Sequence, residues 1–407
     1  MKIESRRAVV TDHPFPKQYA PELLVVRRGK GVWLEDTAGR RYLDFAGGIA
    51  VNALGYGRAD LARTAFRQMR RLSHISNLFA TEPALALARA MIAKGPFPFA
   101  AVFFANSGSE ANEAALKYAR LHALRTKGEG CHRLVCFSSA FHGRTMGALS
   151  CTPHPKYQDP FLPLIPGVTV LPYNDEAALD AAITDDVAGV IVEVIQGEGG
   201  LAAMTPAFAR ALNACCRRHG AILIADEVQT GLARTGTFYA SEAVGLEPDI
   251  ITLAKPLGGG LPLAAALIPK KIDELLHVGD HGTTFGGGPV TTAVALRVWQ
   301  LLSRPGFAEE VKEKGEHLRA ALEGLKGRLE TMGELRGRGL LQGFEYLPGA
   351  PGGNGGQDAM KELLARLQDA GLLALRSGAN VVRLAPPLVI TKTDIDRGIT
   401  IIEEALT

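Results

Sequence analysis

The chain has 407 residues, 47% of them apolar and 21% charged, with 45 basic against 42 acidic side chains for a net charge of +3. That length can bury a substantial core and accommodate two domains, and the near balance of charge, spread along the chain, presents no basic face for nucleic acid. No uncharged apolar run reaches the ~18 residues needed to span a bilayer, and the opening MKIESRR carries charge with no apolar stretch behind it, so neither a membrane anchor nor a secretory signal is expected.

In chain order, GKGVWLEDTAGRRYLDFAGG at 29–48 reads as two β-rich runs around a Thr-Ala-Gly turn. Arg67, Arg70 and Arg71 mark the solvated side of a helix. From about 100 to 270, apolar runs at 101–104, 134–137, 190–192, 221–224 and 250–253 are uninterrupted rather than alternating, as in strands buried on both faces. Helical patterns lie between them, for example Ala111, Ala114, Ala115, Tyr118 and Leu121. This alternation predicts an α/β fold with a mainly parallel sheet and helices on both sides. Beyond 290 the text becomes helical, at 294–302 and 309–325, and short strands follow; LPGAPGGNGG at 347–356 is a flexible loop by composition. The five cysteines, Cys131, Cys136, Cys151, Cys215 and Cys216, are odd in number and form no C-x-x-C pair. They suggest a reduced, cytoplasmic protein with neither a disulfide framework nor a zinc site.

Four features fall at the C-terminal ends of the predicted strands, where open α/β sheets bind ligands. The first is NSGS at 106–109, a strand-to-helix turn in which Ser109 can cap the helix and the first backbone N–H groups favour phosphate. Taken alone, it reads better as an ordinary strand-to-helix turn with a serine cap. The second is AFHGRT, with Phe141 beside Arg144, an aromatic face and a guanidinium suited to a planar ligand bearing a carboxylate, or simply core packing with a surface charge. The third is Asp226-Glu227, acids closing a buried strand, which are costly unless paired with a cation or metal. The chain offers no matching oxygen set for magnesium, and no metal is expected. The fourth is Lys255 in TLAKPLGGGLP. A partly desolvated amine loses its proton readily and attacks a carbonyl to give a Schiff base. Phosphate cradle, aromatic face, carboxylate and lysine together describe a pyridoxal phosphate site.

LDFAGGIAVNALG, NSGSEANEAALK, FHGRTMGALS, QGEGG, DEVQTGLARTG, LAKPLGGG, HGTTFGG and NVVRLAPPL occur in this order. With them the chain resembles, over nearly its whole length, the class III, ω-type pyridoxal phosphate aminotransferases. The resemblance implies fold type I, a mainly parallel seven-stranded sheet flanked by helices with a smaller α+β domain, the large cofactor domain spanning 61–285 and the small one built from 1–60 and 286–407. It implies that Lys255 joins the cofactor and shuttles the proton, that Asp226 pairs with the pyridine nitrogen and Gln229 bonds near the ring oxygen. Phe141 would stack on the ring, and Ser107, Gly108 and Ser109 would bind phosphate. Thr284 would complete the phosphate site from a neighbouring subunit, with Thr283 close to substrate, in a homodimer with shared active sites. Arg383 would take the α-carboxylate of glutamate, Glu198 would neutralise Arg383 when an ω-amine donor is bound, and Arg144 would hold the distal carboxylate.

The activity implied is transfer of the δ-amino group of N-acetylornithine to 2-oxoglutarate, a step of arginine biosynthesis. Succinyldiaminopimelate, ornithine and 4-aminobutyrate are alternative donors, and an aminomutase or racemase is the alternative in a different class. Four positions depart from the family's usual text: Ala80, Val194, Pro256 and Gly288.

Overall fold

The computed structural model describes residues 8–18, 20, 23–348 and 357–407. The charged opening MKIESRR and residues 349–356 of the expected loop lie outside the described residues.

A seven-stranded sheet forms the centre of the molecule, from β1 (Phe99–Ala105), β2 (Arg133–Phe137), β3 (Val168–Leu171), β4 (Val187–Glu193), β5 (Ile222–Asp226), β6 (Ile250–Leu253) and β7 (Ala264–Pro269). Their order is β1-β7-β6-β5-β4-β2-β3. Every pairing from β6 across to β3 is parallel, and β7 runs antiparallel to both of its neighbours. The uninterrupted apolar runs follow from burial on two sides. In β5, Leu223 and Ala225 join one core while Ile222 and Ile224 join another, and β2 divides Val135 and Phe137 from Leu134 and Cys136 in the same way.

Helix α1 (Ala59–Arg71) presents Arg67, Arg70 and Arg71 to solvent, as expected. Helix α2 (Gly108–Lys127) packs Ala111, Ala114, Ala115 and Tyr118 inward and leaves Leu121 half-buried. Its N-cap is Ser107, whose hydroxyl accepts from the Glu110 amide at 3.3 Å. The expected cap, Ser109, instead accepts from the Arg144 amide at 3.2 Å and lies inside the first turn.

The hairpin at 29–48 forms as predicted. Trp33–Asp36 pairs with Arg41–Asp44, and Asp36 Oδ1 closes the turn by accepting from the Ala38 and Arg40 amides, both at 2.9 Å. Leu372–Leu373 adds to the same sheet alongside Arg41–Asp44, so the two ends of the chain share one small sheet. A second four-stranded sheet carries Val381–Leu384, the strand of Arg383. Buried Arg234, on the loop after β5, donates through Nη1 to the carbonyls of Leu340 at 3.0 Å and Pro386 at 2.5 Å, tying that loop to the C-terminal segment. Among the described residues, no helix is long and apolar enough to cross a membrane.

Candidate active site

A cavity of about 350 Å³ opens over the C-terminal ends of β4, β5 and β6. It brings together Lys255, Asp226, Gln229, Phe141 and the Ser107-Gly108-Ser109 turn, residues spread over some 150 positions of the chain.

Asp226 is the last residue of β5 and is buried. Its Oδ2 accepts from His142 Nδ1 at 2.7 Å and Asn112 Nδ2 at 2.8 Å, and its Oδ1 accepts from the Val228 amide at 3.0 Å. Asn112 is aimed in turn by the Thr252 hydroxyl, which donates to its Oδ1 at 2.7 Å. Three donors thus fix the orientation of one buried carboxylate. Lys255 follows the end of β6 and keeps part of its surface open to the cavity. The protein crowded around its ammonium pulls its pKa below the ordinary lysine range, with Asp226 and then Glu198 opposing that pull. The neighbouring acid, Glu227, belongs elsewhere. It accepts from the amides of Ala240 and Ser241 at 2.7 and 2.9 Å and from the Ser241 hydroxyl at 2.6 Å, fixing the short turn at 240–244. Burial pushes its carboxyl up to about 7, against those donors.

The N-terminus of α2 opens on the cavity, with Ser107 and Ser109 at its start. Two glycines leave room there. A Cβ on Gly108 would lie 2.8 Å from Val228 Cγ1, and one on Gly143, which holds φ at 142°, would lie 2.3 Å from Ser109 Oγ. Gly143→Ala is therefore expected to push Ser109 off the cradle and weaken cofactor affinity about tenfold, the scale of one or two lost hydrogen bonds. Fluorescence titration with pyridoxal phosphate reads this directly, and unchanged affinity would remove Ser109 from the cradle.

Arg383 Nη1 donates to Glu198 Oε1 at 2.5 Å, to the Gly197 carbonyl at 2.7 Å and to Gln229 Oε1 at 3.2 Å. Arg383 is buried, whereas the Glu198 side chain is a third exposed. Arg144 is exposed, its guanidinium 3.5 Å above the Tyr157 ring and 5.5 Å from that of Phe141. Thr283 and Thr284 do not line this cavity. Thr283 Oγ1 accepts from the Gly286 amide at 3.2 Å, and Thr284 lines a separate hollow shared with Leu78, Phe79 and Ala80.

The sequence of the aminotransferase class-III family model matches residues 15–406. The chain belongs to the class III aminotransferases. It is 41% identical over 389 residues to a probable mitochondrial acetylornithine aminotransferase of Dictyostelium discoideum, covering 94% of this chain and 83% of that one. It is 43% identical to a succinylornithine transaminase of Yersinia enterocolitica, covering 94% and 92% of the two chains. In three dimensions it is similar to an ornithine aminotransferase of Toxoplasma gondii with pyridoxal phosphate at partial occupancy, at a TM-score of 0.89 and 31% identity over 96% of this chain and 91% of that one.

Pyridoxal 5'-phosphate, the cofactor of class III aminotransferases, fits the residues present. The α2 N-terminus suits its phosphate, Phe141 a ring face, Asp226 a protonated ring nitrogen and Lys255 its aldehyde. His142, Glu193 and Asp226 also place one donor atom each within 4.8 Å of one another. A metal ion there would have to break the His142–Asp226 hydrogen bond beside the Lys255 amine, so this donor set suits the cofactor better than a cation. Sequence reasoning left His142, Asn112 and Glu193 without roles. The signal for Asn112 was an amide placed among the alanines of a buried helix face.

Proposed function

We propose that this class III aminotransferase transfers the δ-amino group of N2-acetyl-L-ornithine to 2-oxoglutarate, giving N-acetyl-L-glutamate 5-semialdehyde and L-glutamate in arginine biosynthesis. The observation that carries the reading is the Glu198–Arg383 ion pair beside the cavity of Lys255 and Asp226. Relatives at 41 to 43% identity that act on acylated ornithines support the donor class.

When bound, pyridoxal phosphate supplies an electron sink for the negative charge that develops on the substrate carbon. Lys255 would then carry the proton, because a crowded amine with a lowered pKa gives up its proton more readily than an ordinary lysine and can still take one back. Asp226 would pair with the protonated ring nitrogen, and His142 and Asn112 hold Asp226 in place. Ser107, Gly108 and Ser109 would bind phosphate, Phe141 would cover the ring and Gln229 would bond near the ring oxygen. The ω-amine donor has no carboxylate next to its reacting amine, so Glu198 keeps Arg383 neutralised while it binds. Glutamate brings an α-carboxylate that takes Arg383 from Glu198. Arg144 holds the distal carboxylate of either substrate.

A homodimer belongs to the same proposal. Thr284 is exposed outside its own cavity, and Leu78, Phe79 and Phe285 close by are 85%, 63% and 67% exposed, an apolar surface that a second copy would cover while carrying Thr283 and Thr284 to the other cavity. So does the division into a large domain at 61–285 and a small one from 1–60 and 286–407, supported by the sheet that joins Arg41–Asp44 to Leu372–Leu373. A cytoplasmic location is supported by five free cysteines.

Glu198→Gln leaves the Arg383 guanidinium without its counter-charge. Its expected effect is a shift of the kcat/KM ratio toward glutamate and away from the acylated donor by about 10- to 100-fold, the worth of a hydrogen bond to a charged group. Equal losses on both substrates would contradict the switch. The donor itself is tested by glutamate formation from 2-oxoglutarate with N-acetylornithine, succinyldiaminopimelate, ornithine and 4-aminobutyrate in turn. N-acetylornithine should give the highest kcat/KM, and a higher value for another donor would replace the substrate named here.

A further inference from the structure

Glu193 ends β4 and Asp226 ends β5, and the two are register partners on adjacent parallel strands. Their side chains therefore leave the sheet on the same face. Both are buried, both line the cavity, and their carboxylate oxygens lie within 4.8 Å of each other. Two carboxyl groups this close and this dry each disfavour a negative charge on the other.

The hydrogen bonding distinguishes the two. Asp226 has donors on both oxygens, from His142, Asn112 and the Val228 amide. Glu193 Oε2 is buried with no partner among the described residues. Burial first, then Asp226 and also Glu198, hold the Glu193 carboxyl well above the usual carboxylate range, while Lys255 and the Phe141 amide pull the other way. Of the other titratable neighbours, His142 gives Nδ1 to Asp226 and keeps a buried Nε2 without a partner among the described residues, Arg383 gives Nη1 to Glu198, and the Tyr173 hydroxyl donates to the Glu193 backbone carbonyl at 2.8 Å. A neutral acid on a cavity wall, with one oxygen unpartnered, is a hydrogen-bond donor without an acceptor.

We propose that Glu193 faces the cavity as the neutral member of an acid pair with Asp226 and donates a hydrogen bond to an acceptor atom of the bound pyridoxal phosphate. This rests on the proposed use of that cofactor and adds a binding residue to it. It also gives the site one fixed negative charge rather than two, which leaves the Lys255 amine free to lose its proton.

The test compares wild type, Glu193→Gln and Glu193→Ala for pyridoxal phosphate affinity across pH, with infrared difference spectra of the holoenzymes. Glutamine keeps a neutral donor of the same shape, so at neutral pH its affinity should stay within about threefold of wild type, whereas alanine should lose about tenfold. At alkaline pH wild type should weaken relative to Glu193→Gln, since only wild type can gain the second negative charge. The wild-type-minus-variant infrared spectrum should show the carbonyl band of one protonated carboxylic acid against either variant, Glu227 cancelling in the difference. Glutamine as weak as alanine would mean that an ionised carboxylate is needed, and three equal affinities would mean that there is no contact; either overturns the proposal, as does a missing acid band. A wild-type chain that takes up no pyridoxal phosphate sinks the proposed function and this hydrogen bond together, a result recognisable because it precedes any difference among the variants.

Discussion

Lys255→Ala is expected to lower turnover by about 10² to 10⁴-fold or more, the usual worth of a positioned proton carrier, and to leave the fold intact. The lysine lies at the mouth of β6 with protein crowded around its ammonium, so its position costs stability rather than adding to it. Removing it leaves Asp226 with all three of its hydrogen-bond donors. The melting temperature of the variant should therefore match or exceed that of wild type, the pattern of a residue kept for chemistry. Lys255→Arg should be equally inactive, because a guanidinium keeps its proton at any working pH. A variant that keeps wild-type turnover at either substitution would remove Lys255 from the mechanism, and one that fails to fold would show up in the melting curve.

Asp226→Asn should follow, with kcat/KM falling about 10²-fold or more, the scale of a broken buried charge pair. Unlike Lys255, Asp226 also holds structure. Its two oxygens accept from His142, Asn112 and Val228, and an asparagine amide must turn its NH₂ toward at least one of those donors. Urea unfolding should show a loss of about 1 to 3 kcal/mol for the donor left unsatisfied, alongside weaker cofactor binding. Activity retained with stability lost would make Asp226 a strut rather than the cofactor's counter-charge.

The strands that position these two residues were the most legible part of the sequence, because burial on both faces leaves β4, β5 and β6 as unbroken apolar runs. Strand β7 was not legible. Its AAALIP is alanine-rich and carries little β preference, and it forms a strand because β1 and β6 flank it. Edge strand β3 was missed as well; its Val170 is 45% exposed. The capping error at α2 had a readable remedy, since Ser107 and Glu110 stand at the S-x-x-E spacing of a capping box while Ser109 does not. Within the site, the motif residues could be named, but the residues that act through them could not. His142 and Asn112 matter because folding sets them against an aspartate 84 and 114 positions away. Glu198 and Arg383 meet across 185 positions, a pairing that only family resemblance connected before the structure did so in space.

The central claim is that one cavity passes an amino group between two different substrates in alternation. It is tested most directly by mixing holoenzyme with N-acetylornithine in the absence of 2-oxoglutarate and counting the semialdehyde formed. The account predicts one equivalent per cavity and then arrest, with turnover resuming when 2-oxoglutarate is added. Continued product formation without the acceptor, or no product at all, would contradict it.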